Sequence, residues 1–140
     1  MSNIFWDTNL FIYLVEEYGE LSQRVERIAR RMRERNDQLI TSALTLGEVL
    51  VKPEIVGSRT LARKYEELLK RHAVIVPFDQ EAARIYATLR CDRSLKAPDA
   101  IQLACAAKAQ VDLFITNDER LSGKIVPGIH FLVSLAKAFL

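Results

Sequence analysis

The sequence predicts an α/β fold, a three-layer α/β/α arrangement around a central, mainly parallel sheet of about five strands. Three observations carry this expectation. Short apolar runs alternate along the chain with longer segments of helical periodicity. Parallel neighbours need crossovers, and those crossovers are usually helices. The 140 residues, 49% hydrophobic and 27% charged, suit one globular domain over residues 1–140, and no repeat, linker or low-complexity segment divides them.

Asn3 to Trp6 reads as a first strand ending at Asp7, and Asn9 to Glu17 as a helix closed by Gly19. From Glu20 to Arg35, Leu21, Val25, Ile28, Ala29 and Met32 recur at intervals of three and four, with Arg and Glu between them, so this is an amphipathic surface helix. Leu39 and Ile40 lead into Thr41 and Ser42 as a second strand. Helical periodicity resumes over Leu44 to Val51, and Pro53 is expected to end it. Ser58 caps a helix through Arg71, Ala73 to Phe78 is a third strand, and Asp79 is placed to cap a helix over Gln80 to Cys91. Lys96-Ala97-Pro98-Asp99 opens a helix to Ala109 whose many small residues predict close packing. Asp112 to Thr116 is a fourth strand, broken at Asn117-Asp118. Gly128 precedes a fifth over Ile129 to Val133, and a short helix ends the chain.

Composition removes several functional classes. The start, Met1 to Asp7, carries no basic stretch, and no apolar run approaches the roughly 18 residues of a membrane span, so a cytoplasmic protein without membrane association is expected. Cys91 and Cys105 lack metal-type or redox-type spacing and read as small buried thiols in helices. His72 and His130 have no partners for a zinc site or a catalytic triad and read as structural. A net charge of +2 does not by itself announce a nucleic-acid binder.

The chemistry-bearing residues are carboxylates. In open parallel sheets, ligands bind beyond the carboxyl ends of the strands, where the connections change direction. Asp7 follows the first strand directly, and Asp118 follows the fourth after Asn117. Glu48 falls in the helix after the second strand, and Asp99 in the first turn of the alanine-rich helix. Each has an ordinary reading: Asp7 and Asp118 as helix caps, Glu48 as the end of a Thr45-x-x-Glu48 capping box, Asp99 as a complement to a helix dipole. Converging on one crevice, however, they would repel one another unless a cation or a basic partner compensated, and such hard oxygen ligands suit Mg²⁺ or Mn²⁺. A site of this kind supports phosphodiester hydrolysis without a Ser or Cys nucleophile.

Asp7-Thr8-Asn9, Thr45-Leu46-Gly47-Glu48-Val49, Lys96-Ala97-Pro98-Asp99-Ala100 and Thr116-Asn117-Asp118 together resemble the signature of the PIN-domain ribonucleases. The similarity covers essentially the whole chain and is strongest to the VapC-like toxin nucleases of VapBC toxin–antitoxin systems. It implies a sheet of about five parallel strands and RNA cleavage with Mg²⁺ or Mn²⁺ as cofactor. It makes Asp7, Glu48, Asp99 and Asp118 the catalytic metal ligands or their supports, with Thr8, Asn9, Thr116 and Asn117 as polar residues that orient them. Glu119 is either a further carboxylate of the site or a first-turn stabiliser of the helix that follows.

The resemblance also implies a homodimer and a cognate antitoxin. Phe11, Ile12, Tyr13, Leu14 and Leu21 have the apolar content for such contacts, or for the core. The arginines of the second helix, interleaved with Glu20, Glu26 and Glu34, read as a solvated, ion-paired face, with an RNA- or partner-binding surface as the alternative. Arg90, Arg93 and Lys96 precede Asp99 closely. By position Arg93 and Lys96, with Lys52 on the far side, are candidates for holding RNA phosphates. Rival readings are a housekeeping PIN nuclease in RNA processing and a non-catalytic RNA-binding domain of the same fold. An aspartyl-phosphate enzyme is disfavoured, because the second Asp it would want two residues after Asp7 is Asn9.

Overall fold

The computed structural model describes residues 1–138 and 140. Its sheet has five strands in the order β3-β2-β1-β4-β5: β1 (Asn3–Trp6), β2 (Gln38–Ser42), β3 (Ala73–Val76), β4 (Val111–Thr116) and β5 (Ile129–Ser134). All four pairings are parallel. The helices are α1 (Thr8–Val15), α2 (Glu20–Arg35), α3 (Ala43–Val49), α4 (Val51–Val56), α5 (Arg59–His72), α6 (Gln80–Leu89) and α7 (Ala97–Ala109).

Strand alternation divides the core between the two faces of the sheet. Ile4 and Trp6 of β1 with Leu113 and Ile115 of β4 meet Leu10, Phe11, Val25, Met32, Val49, Tyr65 and Leu69 from α1, α2, α3 and α5. On the other face, Phe5 and Phe114 stack with ring centroids 4.8 Å apart. They pack with Ala82 of α6 and with Leu103, Cys105, Ala106 and Ala107 of α7. The small residues of α7 bring it against α6 and the sheet, as the sequence predicts: Ala100, Ala104, Cys105 and Ala106 are fully buried.

Local chemistry accounts for several boundaries. Ser58 accepts from the Leu61 amide at 3.1 Å and Asp79 from that of Ala82 at 3.1 Å, so both expected caps form. The capping box that is the ordinary alternative for Glu48 does not form: the N-cap of α3 is Ser42, which leaves Glu48 near the far end of the helix. Pro53 ends nothing. The break falls at Leu50, and Pro53 occupies the first turn of α4, where its missing N–H costs no helical hydrogen bond. Strand β3 stops at Val76, leaving Phe78 exposed. Helix α6 stops at Leu89, so Cys91 lies exposed in a turn, whereas Cys105 is buried as expected. The final helix is reduced to a 3-10 turn over Leu135–Lys137.

Phe11 and Tyr13 belong to the core, whereas Ile12, Leu14 and Leu21 pack against it while remaining half-buried. Among the described residues, no helix is long and apolar enough to cross a membrane.

Candidate active site

Strand β1 lies between β2 and β4, so successive connections leave it in opposite directions. The C-terminal edge of β1 and β4 is therefore the topological switch point of the sheet. Trp6 pairs with Ile115, and the Asp7 amide donates to the Ile115 carbonyl at 3.3 Å, which sets Asp7 beside the segment leading to Asp118. Glu48 comes from α3 and Asp99 from the first turn of α7. Asp7, Glu48 and Asp99 line one cleft of about 300 Å³ together with Thr8, Asn9, Ile12, Pro98 and Gln102. Asp118 is close enough to Asp99 for their charges to oppose each other.

Asp7 occupies the N-cap position of α1 without acting as a cap. Its Oδ2 accepts from the Thr116 hydroxyl at 2.5 Å, and its Oδ1 is shut off from solvent with no hydrogen-bond partner. Burial pushes its pKa up to about 7 against the opposing pull of Thr116, and the charges of Asp99 and Glu48 add to the rise. The Asn9 amide also favours the charged form but does not reach hydrogen-bond geometry. Asp99 is likewise raised, by burial first and then by Asp118, with Arg120 and Lys96 opposing. Asp118 is lowered, chiefly by the Arg120 side chain hydrogen-bonded to it.

A buried polar network holds the floor of the cleft. Thr8 donates to Glu48 Oε1 at 2.5 Å and accepts from Gln102 Nε2 at 3.1 Å. The same Gln102 nitrogen donates to the Thr45 hydroxyl at 2.9 Å, and Gln102 Oε1 accepts from Ser42 at 2.5 Å. Thr41 donates to the Trp6 carbonyl at 2.9 Å and accepts from the Thr45 hydroxyl at 2.8 Å, so the network reaches back to the end of β1. Thr116 accepts from the Asp118 amide at 3.0 Å while it donates to Asp7, and so ties the two acids through one hydroxyl.

The remaining sequence candidates divide. Asn117 donates to the Tyr13 hydroxyl at 2.8 Å rather than to a carboxylate, and Asn9 lies exposed at the cleft. Lys96 is at the N-cap of α7, near enough to Asp99 and Asp118 to favour their charged forms. Lys52 is ion-paired with Glu16, which also accepts from Tyr65, so it faces a different cluster from the one expected. Arg93 is exposed in the turn before α7. Glu119 is exposed, 3.9 Å from Lys137. His72 is exposed, and His130 lies 3.8 Å from Asp112; neither lines the cleft. Residues that sequence reasoning missed are Gln102, Ser42, Thr45 as a hydrogen-bond partner, Tyr13 and Arg120. Gln102 alone carried a signal, as a polar residue within a run of buried small ones.

The donor set is all oxygen, and the partnerless Asp7 Oδ1 is what an ion at this place would satisfy. Among the described residues, no three acidic, His or Cys side chains stand close enough to chelate one ion as they are. Glu48 is oriented by Thr8 through Oε1 alone, whereas Asp118 is held by Arg120 through both oxygens, a contact that would have to yield for that acid to join the others.

The PIN domain family model matches residues 4–124, and the chain belongs to that family. Its fold is similar to that of VapBC2 from Rickettsia felis bound to a promoter DNA fragment, at 14% identity and a TM-score of 0.75, covering 94% of this chain and 98% of that one. A toxin-antitoxin complex from Klebsiella pneumoniae matches at 23% identity and a TM-score of 0.68, covering 90% and 94%. VapBC-5 from Mycobacterium tuberculosis matches at 19% identity and 0.63, covering 96% and 99%. No curated protein sequence matches the chain.

Proposed function

We propose that this protein is a Mg²⁺- or Mn²⁺-dependent ribonuclease, one domain over residues 1–140, and the toxin of a type II toxin–antitoxin pair acting in the cytoplasm. The observation that carries the reading is the buried, partnerless Asp7 Oδ1 at the switch point, in a cleft shared with Glu48 and Asp99. Membership of the PIN family and the likeness to solved VapBC complexes support the nuclease and the antitoxin partner. A homodimer is part of the same reading.

Asp7, Asp99 and Asp118, with Glu48, would hold the metal, which when bound supplies a more acidic water and neutralises charge on the leaving oxygen. Thr116 fixes the rotation of Asp7 by donating to Oδ2, so that Oδ1 is the oxygen left for an ion. Thr8, itself held by Gln102, orients Glu48. Lys96, beside Asp99 and Asp118, is placed to attract the RNA backbone towards the acids.

The test is incubation of purified protein with total cellular RNA in Mg²⁺, Mn²⁺ or EDTA, with Asp99→Asn as the control and sequencing of new ends. Discrete cleavage that requires both metal and Asp99 is expected. RNA left equally intact by wild type and variant in every metal would remove the catalytic reading.

A further inference from the structure

Asp118 does not face the cleft as a free ligand. Arg120, on the 3-10 turn Glu119–Leu121, donates from Nε to Asp118 Oδ1 at 3.0 Å and from Nη2 to Oδ2 at 2.7 Å. The Arg120 backbone amide adds a bond to Oδ1 at 3.0 Å. Both carboxylate oxygens are thereby engaged by one guanidinium, whose positive charge opposes a divalent ion approaching the same carboxylate. The guanidinium is no structural tie: its side chain is 67% exposed, and exposed ion pairs add little to stability.

Several other cations are paired with carboxylates that do not line the cleft. Lys124 pairs with Asp92 and Ser94, Lys52 with Glu16, and Lys108 with Asp79. Arg120 differs from them in being held by a residue of the acidic site itself. Its planar fork fits two oxygens of a carboxylate, and it fits two oxygens of a phosphate equally well.

We propose that Arg120 is a phosphate-binding residue held in reserve on Asp118: a divalent cation that takes Asp118 frees the guanidinium, which then engages the RNA phosphate at the site. This rests on the ribonuclease reading above. Metal and RNA binding are thereby coupled through one side chain. The guanidinium competes with the ion before RNA arrives and contributes to RNA affinity only after the ion is in place. No bond is made or broken in this exchange beyond hydrogen bonds and metal coordination.

The test uses the full chain as wild type, Arg120→Ala and Arg120→Lys, each first checked for an unchanged thermal transition. Calorimetric titration with Mn²⁺ alone should show tighter binding by Arg120→Ala than by wild type, because the competitor is gone. Fluorescence anisotropy with a mixed-sequence single-stranded RNA oligonucleotide should show equal affinities for wild type and Arg120→Ala in EDTA. In Ca²⁺, with RNA integrity checked by gel, wild type should bind about tenfold more tightly than Arg120→Ala, the scale of one charge-assisted contact. Arg120→Lys should recover part of that gain, having the charge without the fork. Equal Mn²⁺ affinity, weaker Mn²⁺ binding by Arg120→Ala, or an equal RNA loss with and without metal would each overturn the proposal. Wild type that binds metal and cleaves RNA while Arg120→Ala behaves identically removes the Arg120 role alone. Wild type that does neither removes the nuclease reading, and this proposal with it.

Discussion

Gln102 donates through Nε2 to the Thr8 hydroxyl at 3.1 Å, and this contact decides where the Thr8 proton goes. With one Thr8 lone pair occupied, the hydroxyl hydrogen is directed at Glu48 Oε1, 2.5 Å away. Gln102 thus sets the orientation of a carboxylate it does not touch. Ser42 donates to the amide oxygen while Nε2 serves both Thr8 and Thr45, so the amide is engaged at both ends. Replacing Gln102 by Leu keeps the volume but strands the hydroxyls of Thr8, Thr45 and Ser42. It is expected to destabilise the fold by about 1–3 kcal/mol. Urea denaturation measures that loss, and Mn²⁺ calorimetry should show weaker binding as Glu48 becomes free to rotate. Unchanged metal affinity in a destabilised variant would reduce Gln102 to a purely structural residue.

Asp7 makes the metal-free protein sensitive to pH with a defined sign. Burial raises its carboxyl from 3.8 to about 7, so between these values the folded state holds a proton that the unfolded chain has lost. The folded state is accordingly favoured below about pH 4, loses that advantage as pH climbs to about 7, and gains no further change from this group above it. In EDTA, the urea midpoint of wild type should fall between about pH 5 and pH 8 more than that of Asp7→Asn, in which this group no longer titrates. Parallel midpoints for the two proteins would show that Asp7 ionises normally when folded.

Gly128 enters β5 with φ +98°, and a Cβ added there would lie 2.5 Å from the Ala107 carbonyl oxygen at the end of α7. The contact is with backbone, which cannot swing aside. Gly128→Ala combines a disfavoured φ with an overlap and should cost about 1–3 kcal/mol of stability. Because Gly128 lies outside the cleft lining, Mn²⁺ affinity of the folded variant should equal that of wild type. Stability within experimental error of wild type would show that α7 and this turn move apart readily.

The strands and most helices were legible because their signals are local. Ile4, Phe5 and Trp6 alternate between the two faces of the sheet, and Val25, Ile28 and Met32 return every turn of α2, so each pattern predicts its own burial. Boundaries were less legible where one residue type serves two positions. Pro53 can follow a helix or lie in its first turn, and what separates the cases is whether the chain has already broken at Leu50. Cys91 reads as helical from its neighbours, but α6 ends before it. Asp7, Glu48, Asp99 and Asp118 were visible as acids at strand or helix ends. Thr8 and Thr116 were legible as polar partners only through the family resemblance, and Gln102 and Arg120 not at all, because Thr116 meets Asp7 across 109 residues of chain and Gln102 meets Thr8 across 94.

By itself the sequence determined the alternation of elements, the two apolar faces of the sheet and the residue types available at its carboxyl edge, all properties of spacing along the chain. Only the tertiary structure decided which of those residues share a cleft, that one oxygen of Asp7 is left unpaired while both of Asp118 are held by Arg120, and that Lys52 belongs to Glu16. The reason is physical. Periodicity specifies which side of an element is buried, whereas a hydrogen bond or a desolvated charge depends on distances of a few ångströms between segments that only packing brings together.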